Sequence, residues 1–384
     1  MNRCSSSFLQ SPFRRRLSTH FLTIQALFAA CFLAGCSPSY VLRAAYEQSK
    51  ILIARRPIEQ VILDPETSPD DRKKLAYVLQ ARAHAKDIGL QTGRSFTAYA
   101  DVGKETLAWV VVGSRKDAFA LYTWWFPIVG TVPYKGFFNR DSAQEQAEEL
   151  HKQGYETSIR GTEAFSTLGW FNDPVLSTTL RNSVPRIVST VIHESVHSTV
   201  WIRDSVPFNE TLASFVGSQA TVEFFRQLSG QCAPDEASCK ELADFVRTAQ
   251  HDHDFQLEMA DAITTLHSAL SKLYRDSTLS SEQKIARRSE EFRRSLATFR
   301  GKYPQLSILR EVNNAEIIQY TIYLTELPLF ERLYQKVGNS WEGFFAGIRG
   351  IQNALEQDPS KEPFEELRKL IYSQPTQTTP QEKP

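Results

Sequence analysis

His193 and His197 stand four residues apart in the stretch HESVH, with Glu194 directly after the first of them. On an α-helix, positions four apart share a face, so the two imidazoles can converge on one divalent ion. A carboxylate beside them can serve as base toward a water molecule. Imidazole nitrogens suit zinc, and a catalytic zinc site commonly takes three protein ligands and keeps one position open. Two histidines therefore need a third donor. Glu210, in FNETLASFVG (208–217), is the candidate.

These residues need two helices to position them. Ser183 can cap the first, Pro185 is tolerated in its first turn, and Ile187, Val188, Val191 and Ile192 form an apolar face. The second is expected over 208–217, with Pro207 marking the junction and Asn209 as its cap. Twelve residues separate His197 from Glu210, enough for a short loop and a return. Ala213, Ser214 and Gly217 are small, so the second helix can approach the first closely.

HESVH followed by FNETLASFVG resembles the HExxH...NExxA signature of the glutamate-zincin metallopeptidases. More narrowly, the chain is similar to a bacterial family of predicted zinc aminopeptidases, often lipoproteins. WWFPIVGTVPYKGFF (124–138), AFSTLGWFNDPVLSTTL (164–180) and NNAEIIQYTIYLTELPLFERLY (313–334) carry the resemblance further. It implies Zn²⁺ held by His193, His197 and Glu210, with Glu194 as the catalytic base. It also implies a tyrosine that stabilises the developing oxyanion: Tyr323 matches the family's tyrosine, and Tyr320 is the second choice. A packed aromatic is the alternative for either. One position departs from the thermolysin-like pattern, which has an Asp four residues after the third ligand. Ser214 stands there, so the imidazoles need another outer partner.

The N-terminus reads as a targeting segment. Residues 1–35 hold four arginines, no acidic residue, and an apolar run from Phe21 to Gly35 too short for a comfortable membrane span. Leu33-Ala34-Gly35-Cys36 looks like a bacterial lipobox, which implies diacylation of Cys36 and cleavage before it. An ordinary signal peptide with a chance cysteine is the alternative. Ser37 after Cys36 favours an outer-membrane destination. The expected location is the cell envelope, lipid-anchored and facing the periplasm. The whole chain has 44 basic and 44 acidic residues, so removing residues 1–35 leaves a net charge of −4. No basic stripe remains for phosphates, which argues against nucleic acid as a partner. Cys232 and Cys239 are then the remaining cysteines, and an isolated pair in an oxidising compartment reads as a local disulfide.

The other elements follow from pattern. Residues 36–92 read as helical, with a start at Ser68–Asp70. The region 93–180 reads as sheet-rich, with strands in FTAYADV, TLAWVVVGS, ALYTWWFPI and ETSIRGTEAFST around a helix at 142–154. GTEAFSTLGWF (161–171) is the candidate for the edge strand or cleft wall that pairs with extended substrate. Glu163 is either a carboxylate for the substrate's ammonium or a solvated strand residue. Asp173 can orient an imidazole. Residues 240–301 read as a helical hairpin turning near Ser277–Ser281, with His251, His253 and His267 on solvated faces and His84 as a surface or core histidine. Residues 305–372 read as helical and 373–384 as a disordered tail.

The expected fold is α+β and zincin-like: a mixed or antiparallel sheet, an active-site helix, and a mainly helical C-terminal half, in one domain over 36–372. The expected activity is zinc-dependent hydrolysis of peptides, most simply by an aminopeptidase. A lipid-anchored binding protein with a zinc site that does not turn over, and an envelope endopeptidase, are the alternatives.

Overall fold

The computed structural model describes residues 46–47, 49–126, 130–162, 172–232, 237–305 and 312–373. The targeting segment, Cys36, Glu163, the 164–171 stretch and the tail from 374 lie outside the described residues. The chain groups into two compact units. One takes residues up to Ile53 together with Thr123–Pro133; its described part is a helical segment before Ala54 and an antiparallel hairpin. That hairpin pairs Trp124–Phe126 (β4) with Gly130–Val132 (β5).

The second unit, Ala54–Tyr122 and Tyr134 onward, holds every other element. It opens with Arg56–Pro57 (β1), Ile58–Leu63 (α1) and Pro69–Asp87 (α2). Ser68 starts α2 as expected: its hydroxyl accepts the Asp71 N–H at 3.0 Å, and Pro69 takes the first helical position. Ala98–Ala100 (β2) lies between β1, antiparallel to it, and Val175–Leu176 (β8), parallel to it, so this small sheet is mixed. The second sheet is antiparallel. Ala108–Ser114 (β3) lies between Lys135–Phe137 (β6) and Glu156–Thr162 (β7), which leaves β7 at an edge among the described strands. Arg140–Lys152 (α3) packs on β3 and β7 through Ala143, Ala147 and Leu150.

The helices begin at Val184–His197 (α4) and Val206–Gly230 (α5). In α4, Ile187, Val188, Val191, Ile192 and Val196 are fully buried or nearly so. Each such side chain contributes about 1.5–3 kcal/mol on burial, so the face behind the histidines is fixed in the core. α5 is the central helix. Phe208, Leu212, Phe215, Val216 and Phe225 are at or near 0% exposure, because α5 packs on α4 and on Ala237–Arg275 (α6), with further helices over its remaining surface. α6 and Ser281–Lys302 (α7) form the expected hairpin, closed by a capping box at Ser280 and Gln283. Asn314–Leu324 (α8), Leu327–Lys336 (α9), Trp341–Gln357 (α10) and Pro363–Tyr372 (α11) complete the fold. The protein is thus mixed α+β with a mainly helical C-terminal half.

Several expectations need correction. FTAYADV contributes three strand residues and ALYTWWFPI three, with Leu121 adding an isolated bridge to Ser114. His253 is not on a solvated face. It is 4% exposed, its Nδ1 lies 2.9 Å from the Ser218 hydroxyl, and its Nε2 lies 3.5 Å from Glu331. His251, two residues earlier, is exposed, as positions two apart on a helix require. His267 is half-buried and stacks on Phe119 with ring centres 4.5 Å apart. His84 proves to be a buried histidine packed against Phe224. Cys232 and Cys239 are joined as a disulfide, their Cα atoms 5.6 Å apart.

Candidate metal centre

α4 presents His193 and His197 on successive turns, and α5 brings Glu210 against them. The Nε2 atoms of the two histidines are 3.2 Å apart. Glu210 Oε2 lies 3.4 Å from His193 Nε2 and 3.6 Å from His197 Nε2. These atoms form the group of potential metal donors among the described residues. Donors about 2.0–2.2 Å from a tetrahedral ion stand ~3.3–3.6 Å from one another. The triangle therefore has the size that one small divalent ion requires. His197 is 3% exposed, while His193 and Glu210 are 18% and 17% exposed, so the cluster opens to solvent on the His193–Glu210 side.

The donors also polarise one another. Burial pushes the Glu210 carboxyl up, but hydrogen bonds and charge from His193 and His197 outweigh it and bring the carboxyl down to about 2. Burial pushes His197 down, and the Glu210 hydrogen bond with the Glu210 and Glu194 charges reverses that, so the imidazole is raised. Glu210 and His197 thus stabilise each other's charge.

Two local features hold the pair of helices in register. Gly217 lies against α4: a Cβ there would stand 3.0 Å from the Ser189 carbonyl and 3.2 Å from His193 Cβ. The expected close approach of α5 therefore occurs at the first histidine. Asn209 is not the cap that the sequence suggests. α5 already starts at Val206, with Pro207 inside its first turn. Asn209 is 1% exposed and clamps the preceding turn: Ile202 N–H donates to its Oδ1 at 2.9 Å, and its Nδ2 donates to the Ile202 carbonyl at 2.7 Å. The residue just before Glu210 therefore ties the α4–α5 connection to α5.

Glu194 lines a small cavity together with Ser95, Phe96, Asp173 and Ser198. Its Oε2 is buried without a hydrogen-bond partner among the described residues. His197 Nδ1 is likewise buried and unpartnered. Asp173 thus lines the Glu194 cavity, and its backbone meets Ser95 and Phe96. Ser214 is half-buried in α5.

The two tyrosines of α8 have different surroundings. Burial, then the charges of Glu210 and Glu194, raise the Tyr323 phenol, so this side chain stands within the field of the cluster. The Tyr320 hydroxyl instead donates to Glu316 at 3.4 Å. Arg160 of β7 was given no role by the sequence, yet its guanidinium carbon lies 5.4 Å from the Tyr323 ring centre. Alternation in ETSIRGT was the available signal, since it puts Glu156, Ser158, Arg160 and Thr162 on one strand face.

An α+β protein with two imidazoles and a carboxylate converging from neighbouring helices, and a further carboxylate beside them, has the parts of a metal-dependent hydrolase. Residues 39–362 match the family described as "Putative aminopeptidase", and the chain belongs to that family. No curated protein and no solved structure matches it. Membership points to peptidase activity.

Proposed function

We propose that the protein is a zinc-dependent peptidase of the zincin type, most simply an aminopeptidase, acting in the bacterial cell envelope. The observation that carries this reading is the 3.2, 3.4 and 3.6 Å triangle of His193, His197 and Glu210, with Glu194 next to it in sequence. Two nitrogens and one carboxylate oxygen are a donor set suited to zinc. Zinc bound there supplies Lewis acidity toward the peptide carbonyl and makes a nearby water easier to deprotonate. Glu194 accepts the proton of the attacking water and later delivers it to the leaving amine. Its buried, unpartnered Oε2 fits a carboxylate kept for proton transfer rather than for a structural bond. The Tyr323 hydroxyl, held neutral by burial, donates to the carbonyl oxygen as charge develops there. Edge strand β7 offers backbone groups for an extended peptide.

The lipobox-like Cys36 supports a lipid anchor, and the Cys232–Cys239 disulfide suits an oxidising compartment. Peptide substrate and membrane, rather than nucleic acid, are the partners in this reading.

Glu194→Gln tests it. The variant is expected to keep its zinc and lose peptide hydrolysis by about 1,000-fold or more, since general-base catalysis alone contributes about 10²–10⁴. Full hydrolysis by the variant would remove Glu194 from the mechanism. Labelling with radioactive palmitate, retained in wild type and lost in Cys36→Ala, tests the anchor.

A further inference from the structure

β7 and α8 are tied together at one end. Glu156 is 7% exposed; it accepts a bidentate pair from Arg288 and the backbone N–H of Asn314. Asn313 Nδ2 donates to the Thr157 carbonyl at 3.0 Å. From this tie, four strand steps and nine helix steps both advance about 13 Å. The two elements therefore meet again at Arg160 and Tyr323, where the guanidinium lies over the ring.

Arg160 is exposed, and among the described residues its guanidinium has no carboxylate partner. Other arginines here do sit on carboxylates, as Arg288 does on Glu156 and Arg115 on Asp117. Stacking on Tyr323 leaves the planar fork of N–H groups at the guanidinium's edge available and restricts its orientation. Tyr323 belongs to α8, which packs on α5, the helix that carries Glu210. A pre-oriented cation thus stands over a side chain of the helix that packs against the Glu210 helix. The nearest carboxylate on α8, Glu316, is two turns back from Tyr323 and is engaged by Tyr320.

We propose that Arg160 binds a carboxylate of the substrate, so that the preferred substrates are peptides with a carboxylate close to the scissile bond. This rests on the peptidase reading above. A terminal carboxylate, as in a dipeptide, and an acidic side chain offer the same chemistry, and a bidentate Arg–carboxylate pair suits either.

Three probes separate the possibilities: alanyl-alanine, alanyl-alaninamide, and alanyl-glutamate α-amide. Wild type is expected to favour alanyl-alanine over its amide by about 10- to 100-fold in kcat/KM, carried by KM, which is the scale of one charge-assisted hydrogen-bonded pair. In Arg160→Gln the ratio is expected to fall to near one, and Arg160→Lys to keep part of it. High turnover of alanyl-glutamate α-amide would assign the carboxylate to a side chain, and low turnover to the terminus. Equal kcat/KM for all three probes in wild type, or a carboxylate preference that survives in Arg160→Gln, overturns the proposal. Equilibrium binding to Glu194→Gln is read in parallel, with and without Arg160→Gln. Tighter binding of alanyl-alanine, lost with Arg160, upholds the site even where no peptide is hydrolysed and the peptidase reading falls. Equal binding of all three probes overturns the site whatever the turnover.

Discussion

Gly217 of α5 stands against His193 of α4 so closely that a Cβ at 217 would lie 3.2 Å from the histidine's own Cβ. The second contact, 3.0 Å to the Ser189 carbonyl, is to backbone and cannot rotate away. Gly217→Ala is expected to cost about 1–2 kcal/mol, and Gly217→Val about 3 kcal/mol, by forcing the helices apart. Because that separation also pulls Glu210 from the imidazoles, zinc affinity is expected to fall with stability. Urea unfolding beside zinc titration checks both. Unchanged zinc affinity in Gly217→Val would show that the helix spacing does not set the donor triangle.

Asn209 makes a different kind of contribution. Asn209→Ala leaves the Ile202 N–H and carbonyl, both now paired inside the protein, without partners. Each orphaned buried group costs about 1–3 kcal/mol, so a total loss of roughly 2–6 kcal/mol is expected. Asn209→Asp keeps the acceptor for the N–H but opposes an oxygen to the carbonyl, and is expected to fall between the two. Denaturant midpoints for the three proteins give the order, and an alanine variant as stable as wild type would contradict the clamp.

Tyr323→Phe removes one hydroxyl and little volume. If that hydroxyl donates to the developing oxyanion, kcat falls about 100-fold while zinc content and KM stay near wild type. Tyr320→Phe, whose hydroxyl is turned to Glu316, is expected to change kcat by less than about threefold. The reverse ranking would exchange the two roles.

Acid stability is expected to carry the signature of Asp117. Hydrogen bonds from Arg115, aided by the Ser281 hydroxyl, hold its carboxyl at about 2, against the ordinary value of 3.8. A carboxyl lowered by folding stabilises the protein fully above the unfolded value and loses that contribution as pH falls through the folded one. Wild type should therefore exceed Asp117→Asn in Tm at pH 6, and the gap should close between about pH 4 and pH 2. A gap that is constant with pH would mean that Asp117 acts through its shape rather than its charge.

The readable parts of the sequence were those where local pattern and tertiary role agree. HESVH became one helix face because the apolar residues before it have the same period, and the α6–α7 hairpin followed from charge patterning around a capped turn. Asn209 was misread because Pro207 looks like a boundary, whereas a proline in the first turn lets the helix begin before it. His253 was misread as solvated because its partners Ser218 and Glu331 are 35 and 78 positions away in sequence. Arg160 and Tyr323 meet only because a strand and a helix share a tie at Glu156 and Asn314, a relation that no local window contains.

The most direct test is the metal content of the purified protein, measured beside His193→Ala. One zinc per chain in wild type and less than about a tenth of that in the variant is the result expected of three donors sharing one ion. No zinc in wild type, or equal zinc in His193→Ala, would contradict the account at its centre.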